Sequence, residues 1–106
     1  MPVNYQMISD LAAEVKIPEN GILSRTLHND DRLIVVIFGF SPGQELSAHT
    51  APMPAVLQIL QGEADLTLGD EKLEAKTGAF IHMAPNLKHG IVARTPLILL
   101  LLMMKN

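Results

Sequence analysis

Most of the chain after residue 20 consists of short apolar or alternating stretches separated by turn residues. Residues 22–28 alternate between apolar and polar side chains, as a half-buried strand does. Residues 32–40 and 97–104 are instead apolar almost throughout. Clusters of Gly, Pro, Asn and Asp separate these stretches. The pattern predicts roughly nine short strands and therefore an all-β sandwich or barrel.

The first twenty residues follow a different pattern. Residues 9–15 have the composition of a short helix, with Ser9 or Asp10 as its N-cap, and the sequence IPENG at 17–21 ends it. We therefore expect residues 1–20 to form a helical or extended N-terminal segment. Residues 21–106 are expected to form one barrel, because 106 residues suit a single core.

Three of the predicted strands are apolar on both faces, whereas a strand in a single sandwich turns one face to water. They are residues 32–40, 55–60 and 97–104. A second buried face needs a second partner. The pattern favours a homodimer that packs through the outer face of this sheet. The alternative is that the N-terminal segment folds across the same face.

Composition and charge exclude several classes of function. The net charge is −3, and no run of Lys or Arg is present, so neither nucleic acid nor a membrane surface is expected as a partner. The absence of Cys excludes disulfides, zinc–cysteine sites and thiol catalysis. The N-terminus lacks the pattern of a signal peptide, and the apolar runs are too short for a membrane helix. A cytoplasmic protein is expected.

Two stretches with fixed spacing resemble the two motifs of the cupin family. In the first motif, a glycine precedes His-x-His, a glutamate and a second glycine. Here Gly43 and Gly62 fill the glycine positions and His49 fills the first histidine position. The second histidine is replaced by Ala51 and the glutamate by Ala55. The stretch HTAP, which replaces His-x-His, also resembles a particular branch of small single-domain cupins.

The second cupin motif is filled in a similar way. Gly78 opens it, and His89 lies at its histidine position. Ala84 replaces the motif's proline and Ala93 its final asparagine. Asn86 replaces a glycine and suits a turn with positive φ. The resemblance implies a double-stranded β-helix barrel, or jelly roll.

Cupin metal sites usually combine three histidines with one glutamate, so the resemblance leaves His49 and His89 as the two matching ligands. Two neutral imidazoles without a carboxylate would hold a divalent metal poorly, because catalytic sites usually supply three protein ligands. If a short turn joins residues 79–83 and 89–94 as a hairpin, His82 lies opposite His89 and could point into the barrel as the third ligand. His28 is interpreted as a solvated turn residue.

Three functions of different classes remain open, of which the third is a structural or regulatory protein that acts through its dimer. The first is binding of a small molecule, without a certain cofactor, in a pocket enlarged by the alanine replacements. The second is a metal-dependent cupin enzyme of the dioxygenase or isomerase type, which holds a divalent transition metal through His49, His89 and His82. The two histidines acting as an acid–base pair without metal remain a further alternative. The predicted pocket residues are His49, Ala51, Met53, Ala55, Leu57 and His89.

Overall fold

The structure is a computed structural model, and it describes residues 4–105. Within this range two antiparallel sheets face each other, one of five strands and one of four. In spatial order, the five-stranded sheet contains β1 (Ile22–Asn29), β2 (Leu33–Phe40), β9 (Leu97–Met104), β4 (Ala55–Gln61) and β7 (Phe80–Met83). The four-stranded sheet contains β3 (Glu45–His49), β8 (His89–Ala93), β5 (Glu63–Leu68) and β6 (Glu71–Lys76). The all-β fold predicted from the sequence is confirmed.

The core lies between the inner faces of the two sheets. In the five-stranded sheet, Phe40 pairs with Leu97 and Phe38 pairs with Leu99, so their side chains share the inner face. Ala64 and Leu66 of β5 close the core from the other sheet. The core is almost entirely aliphatic, in agreement with an aromatic content of 4%. Phe40 is the largest of its fully buried side chains.

The N-terminal segment folds across the outer face of the five-stranded sheet. Leu11, Val15 and Ile17 pack against a second apolar cluster, which contains the buried residues Ile37 and Leu100. The segment therefore accounts for part of the second apolar face of these strands. The alternative given above, that the N-terminal segment folds across this face, is confirmed for the part that it covers.

The contact between segment and sheet is a close one. A Cβ added at Gly39 of β2 would lie 2.6 Å from the backbone oxygen of Lys16. Glycine at this position therefore allows the two backbones to approach. The helix of the segment is only a 3₁₀ turn, Leu11–Glu14, and the Asp10 side chain forms no cap hydrogen bond. Among residues 4–105, no helix has the length and apolar character needed to cross a membrane.

Candidate functional site

His49 and His89 face each other across neighbouring strands of the four-stranded sheet. They are directly paired residues of β3 and β8. Their ring centroids lie 4.4 Å apart at an interplanar angle of 55°. Both rings line a cavity between the two sheets. His89 is half-buried, whereas His49 is exposed, and we therefore place His49 at the mouth of this cavity.

A β-bulge in β3 places His49 on the cavity side. Leu46 pairs with Ile91, and the next pair is His49 with His89, so β3 uses one residue more than β8 between them. Ser47 and Ala48 therefore lie opposite Gly90 alone. Without the extra residue, the alternation of strand side chains would send residue 49 to the outer face. The bulge thus brings the two imidazoles together.

Backbone carbonyls fix the orientation of both rings. Nδ1 of His49 lies 2.9 Å from the carbonyl oxygen of Ser47, inside the bulge. Nδ1 of His89 lies 2.9 Å from the carbonyl oxygen of Leu87. A carbonyl oxygen only accepts hydrogen bonds, so each Nδ1 carries the proton and donates it. In the neutral ring, Nε2 then carries a lone pair. Nε2 is therefore the ring nitrogen that can accept a hydrogen bond from a ligand.

Two loops at the ends of β3 and β7 are held close to the histidines. The amide of Asn86 donates a hydrogen bond of 2.7 Å to the carbonyl oxygen of Ala51. The amide of Gly69, in the turn between β5 and β6, donates a hydrogen bond of 2.7 Å to the carbonyl oxygen of Lys88, next to His89. Asn86 has a φ of 67°, which confirms the positive φ predicted at this motif position. These two hydrogen bonds connect the loop of residues 84–88 to the segment after β3, at Ala51, and to the turn between β5 and β6, at Gly69.

The cavity has a volume of about 130 Å³ and an apolar wall. Of the described residues predicted to line it, His49, Leu57 and His89 do so, whereas Ala51, Met53 and Ala55 are not part of the lining. Ala51 follows the end of β3, so the strand alternation that was expected to turn it inward does not apply. Ala55 is buried in the core beside Met83 and Met103.

Sequence reasoning missed most of the cavity wall. The missed residues come from strands that the motifs do not cover or from motif positions that carry no expected ligand. For the side chains, the strand period of two shows which residues share a face, but the apolar runs do not show which face is the inner one. Gly90 lies between the lining residues His89 and Ile91 and follows no such period. The missed residues are Phe38, Leu46, Leu66, Leu68, Met83, Gly90, Ile91, Leu99 and Leu101.

His82 does not join the two histidines. The prediction that it lies opposite His89 is wrong, because β7 pairs with β4 and β8 pairs with β3 and β5. The chain passes from one sheet to the other between Met83 and His89 instead of forming a hairpin. His82 pairs with Val56 and is exposed, while its neighbour Met83 is buried. Its side chain therefore points to the outer face.

The donor set does not fit the metal site that the family resemblance implies. Among residues 4–105, no group of three or more His, Cys, Asp or Glu side chains is placed to hold a metal ion. Two imidazole nitrogens remain, and no carboxylate lines the cavity. The ligand set of His49, His89 and His82 is thus not assembled, and we derive no step through a metal.

His28 lies outside the barrel, in a wider groove of about 610 Å³ that is lined by the N-terminal segment, β1 and β2. Its Nε2 lies 2.6 Å from Oδ2 of Asp30, and its Nδ1 lies 3.0 Å from Oε1 of Gln6. Backbone amides of Arg32 and Leu33, together with His28, lower the pKa of Asp30 to about 2. His28 was expected to be a solvated turn residue. It instead belongs to a hydrogen-bond network at the surface that includes the N-terminal segment.

Solved structures of other proteins share this architecture. A conserved protein of unknown function from Streptococcus pyogenes is 31% identical to the chain, with a TM-score of 0.87 over 98% of this chain and 91% of its own. A cupin superfamily protein from Desulfitobacterium hafniense is 24% identical, with a TM-score of 0.87 over 100% and 95%. The second likeness concerns the fold alone.

A third similar structure belongs to a longer protein. The cupin 2 conserved barrel domain protein from Leptotrichia buccalis is 29% identical, with a TM-score of 0.83 over 90% of this chain and 46% of its own. None of the curated proteins compared with the chain matches it. The model of the cupin domain family matches residues 36–104, which include both histidines and most of the barrel. The chain therefore belongs to the cupin domain family.

Proposed function

We propose that this protein binds a small molecule in the barrel cavity, with His49 and His89 as its polar contacts. The observation that carries the proposal is the fixed pair of imidazoles, whose centroids lie 4.4 Å apart at one end of an apolar cavity. Ligand sites are typically apolar cavities with a few convergent polar groups, and this cavity has that composition. Tying both Nδ1 atoms to backbone carbonyls prepares the rings before a ligand arrives.

A metal-dependent reaction is the less favoured function, because the described donor set provides two imidazoles without a third ligand. An acid–base reaction by the two histidines needs a bound substrate first, so the binding proposal precedes it in any case. The pocket chemistry therefore favours binding over a metal-assisted step.

Titration with a library of one-ring compounds tests the proposal. The histidine side chains are labelled with ¹⁵N, and their signals are followed by NMR. We expect at least one compound to shift the signals of His49 and His89, and to bind about two- to tenfold more weakly to His89→Ala, since the loss of one neutral hydrogen bond costs about 0.5–1.5 kcal/mol. His82→Ala is the matched control, because His82 is a histidine on the outer face. Compounds that shift only signals of the outer face would refute the proposal.

We also propose that the protein forms a homodimer through the part of the outer face that the N-terminal segment leaves open. Support comes from the apolar side chains there. Phe80 of the edge strand β7 is 65% exposed, and it lies beside Gln58 on the outer face. Val56 and Leu102 are paired neighbours on the same face and are only half-buried. Apolar patches of this kind commonly bind another protein surface.

A further inference from the structure

The histidine pair presents hydrogen-bond acceptors, and the backbone decides this. Each Nδ1 donates to a carbonyl two residues earlier, at Ser47 for one ring and Leu87 for the other. A neutral imidazole has one donor and one acceptor nitrogen, so both Nε2 atoms are acceptors. The two rings are in contact distance, with centroids 4.4 Å apart. A neutral ligand that meets these rings must therefore donate hydrogen bonds to them.

The rest of the cavity wall provides no donor to compete with the histidines. Apart from the two imidazoles, the side chains that line it are aliphatic, aromatic or, at Met83, a thioether. A carboxylate or a carbonyl oxygen of a ligand would meet no side-chain donor while the rings are neutral. Burying such a group without a partner costs several kcal/mol, on the order of 2–7. Anionic ligands are therefore disfavoured while both rings are neutral.

The volume limits the size of the ligand. The cavity holds about 130 Å³, and an engineered apolar cavity of about 150 Å³ in another protein holds one benzene molecule. Phe38, Leu57 and Leu99 are among the side chains that would contact the faces and edge of such a ring. A single six-membered ring is thus the size class that fits.

We infer that the pocket selects a small phenolic compound, whose ring packs on the apolar wall and whose hydroxyl donates a hydrogen bond to Nε2 of His49 or His89. This inference rests on the proposed function, which it narrows to one ligand class. The inference involves binding alone and no covalent step.

Four probes of similar size test the inference: phenol, anisole, toluene and benzoate, each titrated into the protein at the same mildly alkaline pH. Anisole has the oxygen of phenol without the proton to donate, and toluene has neither. One donated hydrogen bond contributes about 0.5–1.5 kcal/mol, so we expect phenol to bind about two- to tenfold more tightly than anisole and toluene. Benzoate is expected to bind most weakly.

Variants show whether the histidines cause the preference. In the double variant His49→Ala, His89→Ala, phenol and toluene should bind equally, whereas in His82→Ala the preference for phenol should persist. These comparisons use ratios of affinities within one protein, so a small loss of stability does not obscure them.

Several outcomes would overturn the inference. Equal affinity for phenol, anisole and toluene would contradict hydroxyl donation, yet it would leave the binding function intact, because the cavity would still be occupied. Tightest binding of benzoate would show that the pocket prefers an anion and would contradict the inference. If none of the four binds, the phenolic class is wrong, and the proposed function is then decided separately by the one-ring library.

Discussion

Gly90 lies directly against the backbone of Ala48, and this contact shapes the site. A Cβ added at Gly90 would lie 2.9 Å from the nitrogen of Ala48 and 3.0 Å from its Cα. Ala48 belongs to the bulge that turns His49 into the cavity. The bulge therefore requires glycine on the neighbouring strand, and the close approach of two backbones is its physical reason.

Substitution Gly90→Ala is expected to destabilise the fold and to disturb the histidine pair. Forcing a methyl group into this space costs about 1–3 kcal/mol, as overpacking usually does. Urea unfolding measures the loss of stability, and the ¹⁵N signals of His49 and His89 report on the bulge. Gly39→Ala is the comparison, since its Cβ would meet Lys16 on the outer face instead. It should cost similar stability and leave the histidine signals in place; equal shifts in both variants would contradict this role of Gly90.

Asp30 is expected to give a pH-dependent contribution to stability. Its pKa is lowered from 3.8 to about 2 by hydrogen bonds from the Arg32 amide, the His28 side chain and the Leu33 amide. The ionised carboxylate thus stabilises the folded state. This contribution is fully present above the unfolded pKa of about 4, and it is lost as the pH falls through about 2.

The variant Asp30→Asn isolates this effect, because an amide oxygen still accepts the bonds from the Arg32 and Leu33 amides that Oδ1 receives. The difference in unfolding free energy between wild type and variant is measured in urea from about pH 6 down to about pH 2. We expect it to shrink below about pH 4 and to disappear near pH 2. A difference that stays constant over this range would show that the charge of Asp30 does not matter.

His28 is expected to hold the start of the N-terminal segment on the sheet. Its ring lies 3.0 Å from Oε1 of Gln6, and Nε2 of Gln6 donates to the carbonyl oxygen of Leu27 at 3.0 Å. His28→Ala should therefore speed hydrogen exchange of the amides near Gln6. The effect on global stability should stay below about 1 kcal/mol, because these groups are partly exposed. Tyr5→Ala is the control, since Tyr5 is 78% exposed; equal acceleration in both variants would contradict the role of His28.

If the proposed homodimer forms, a charged residue on its apolar face should separate the two chains and halve the mass of the particle in solution. Phe80→Glu places a carboxylate on the open part of the outer face, where Phe80 is 65% exposed. Light scattering after size exclusion should then give the mass of one chain, against two chains for the wild type. Leu73→Glu is the control, because Leu73 is 43% exposed on β6 of the other sheet. A wild type of one-chain mass, or a variant that remains dimeric, would refute this interface.

The strands were predictable because their signals are local. The apolar run 97–104 coincides with the strand Leu97–Met104, and the alternating run 22–28 matches Ile22–Asn29 to one residue. Leu57 lies two residues after the motif position Ala55 and therefore shares its face, which was enough to predict it on the cavity side. The same local reasoning failed for His82. The short loop between β7 and β8 is compatible with a hairpin and with a connection between the two sheets, and the structure has the connection between sheets. Which strand pairs with β7 depends on residues far away in the chain.

The sequence by itself determined that the chain forms an all-β barrel and that two histidines stand at the motif positions, since spacing and alternation are properties of neighbouring residues. Only the tertiary structure decided that a bulge opposite Gly90 turns His49 inward, and that Ala51 and His82 lie outside the cavity wall. It also decided that the N-terminal segment covers part of the outer face. These outcomes depend on the pairing and stacking of distant segments, where packing energies, not local preferences, select the arrangement.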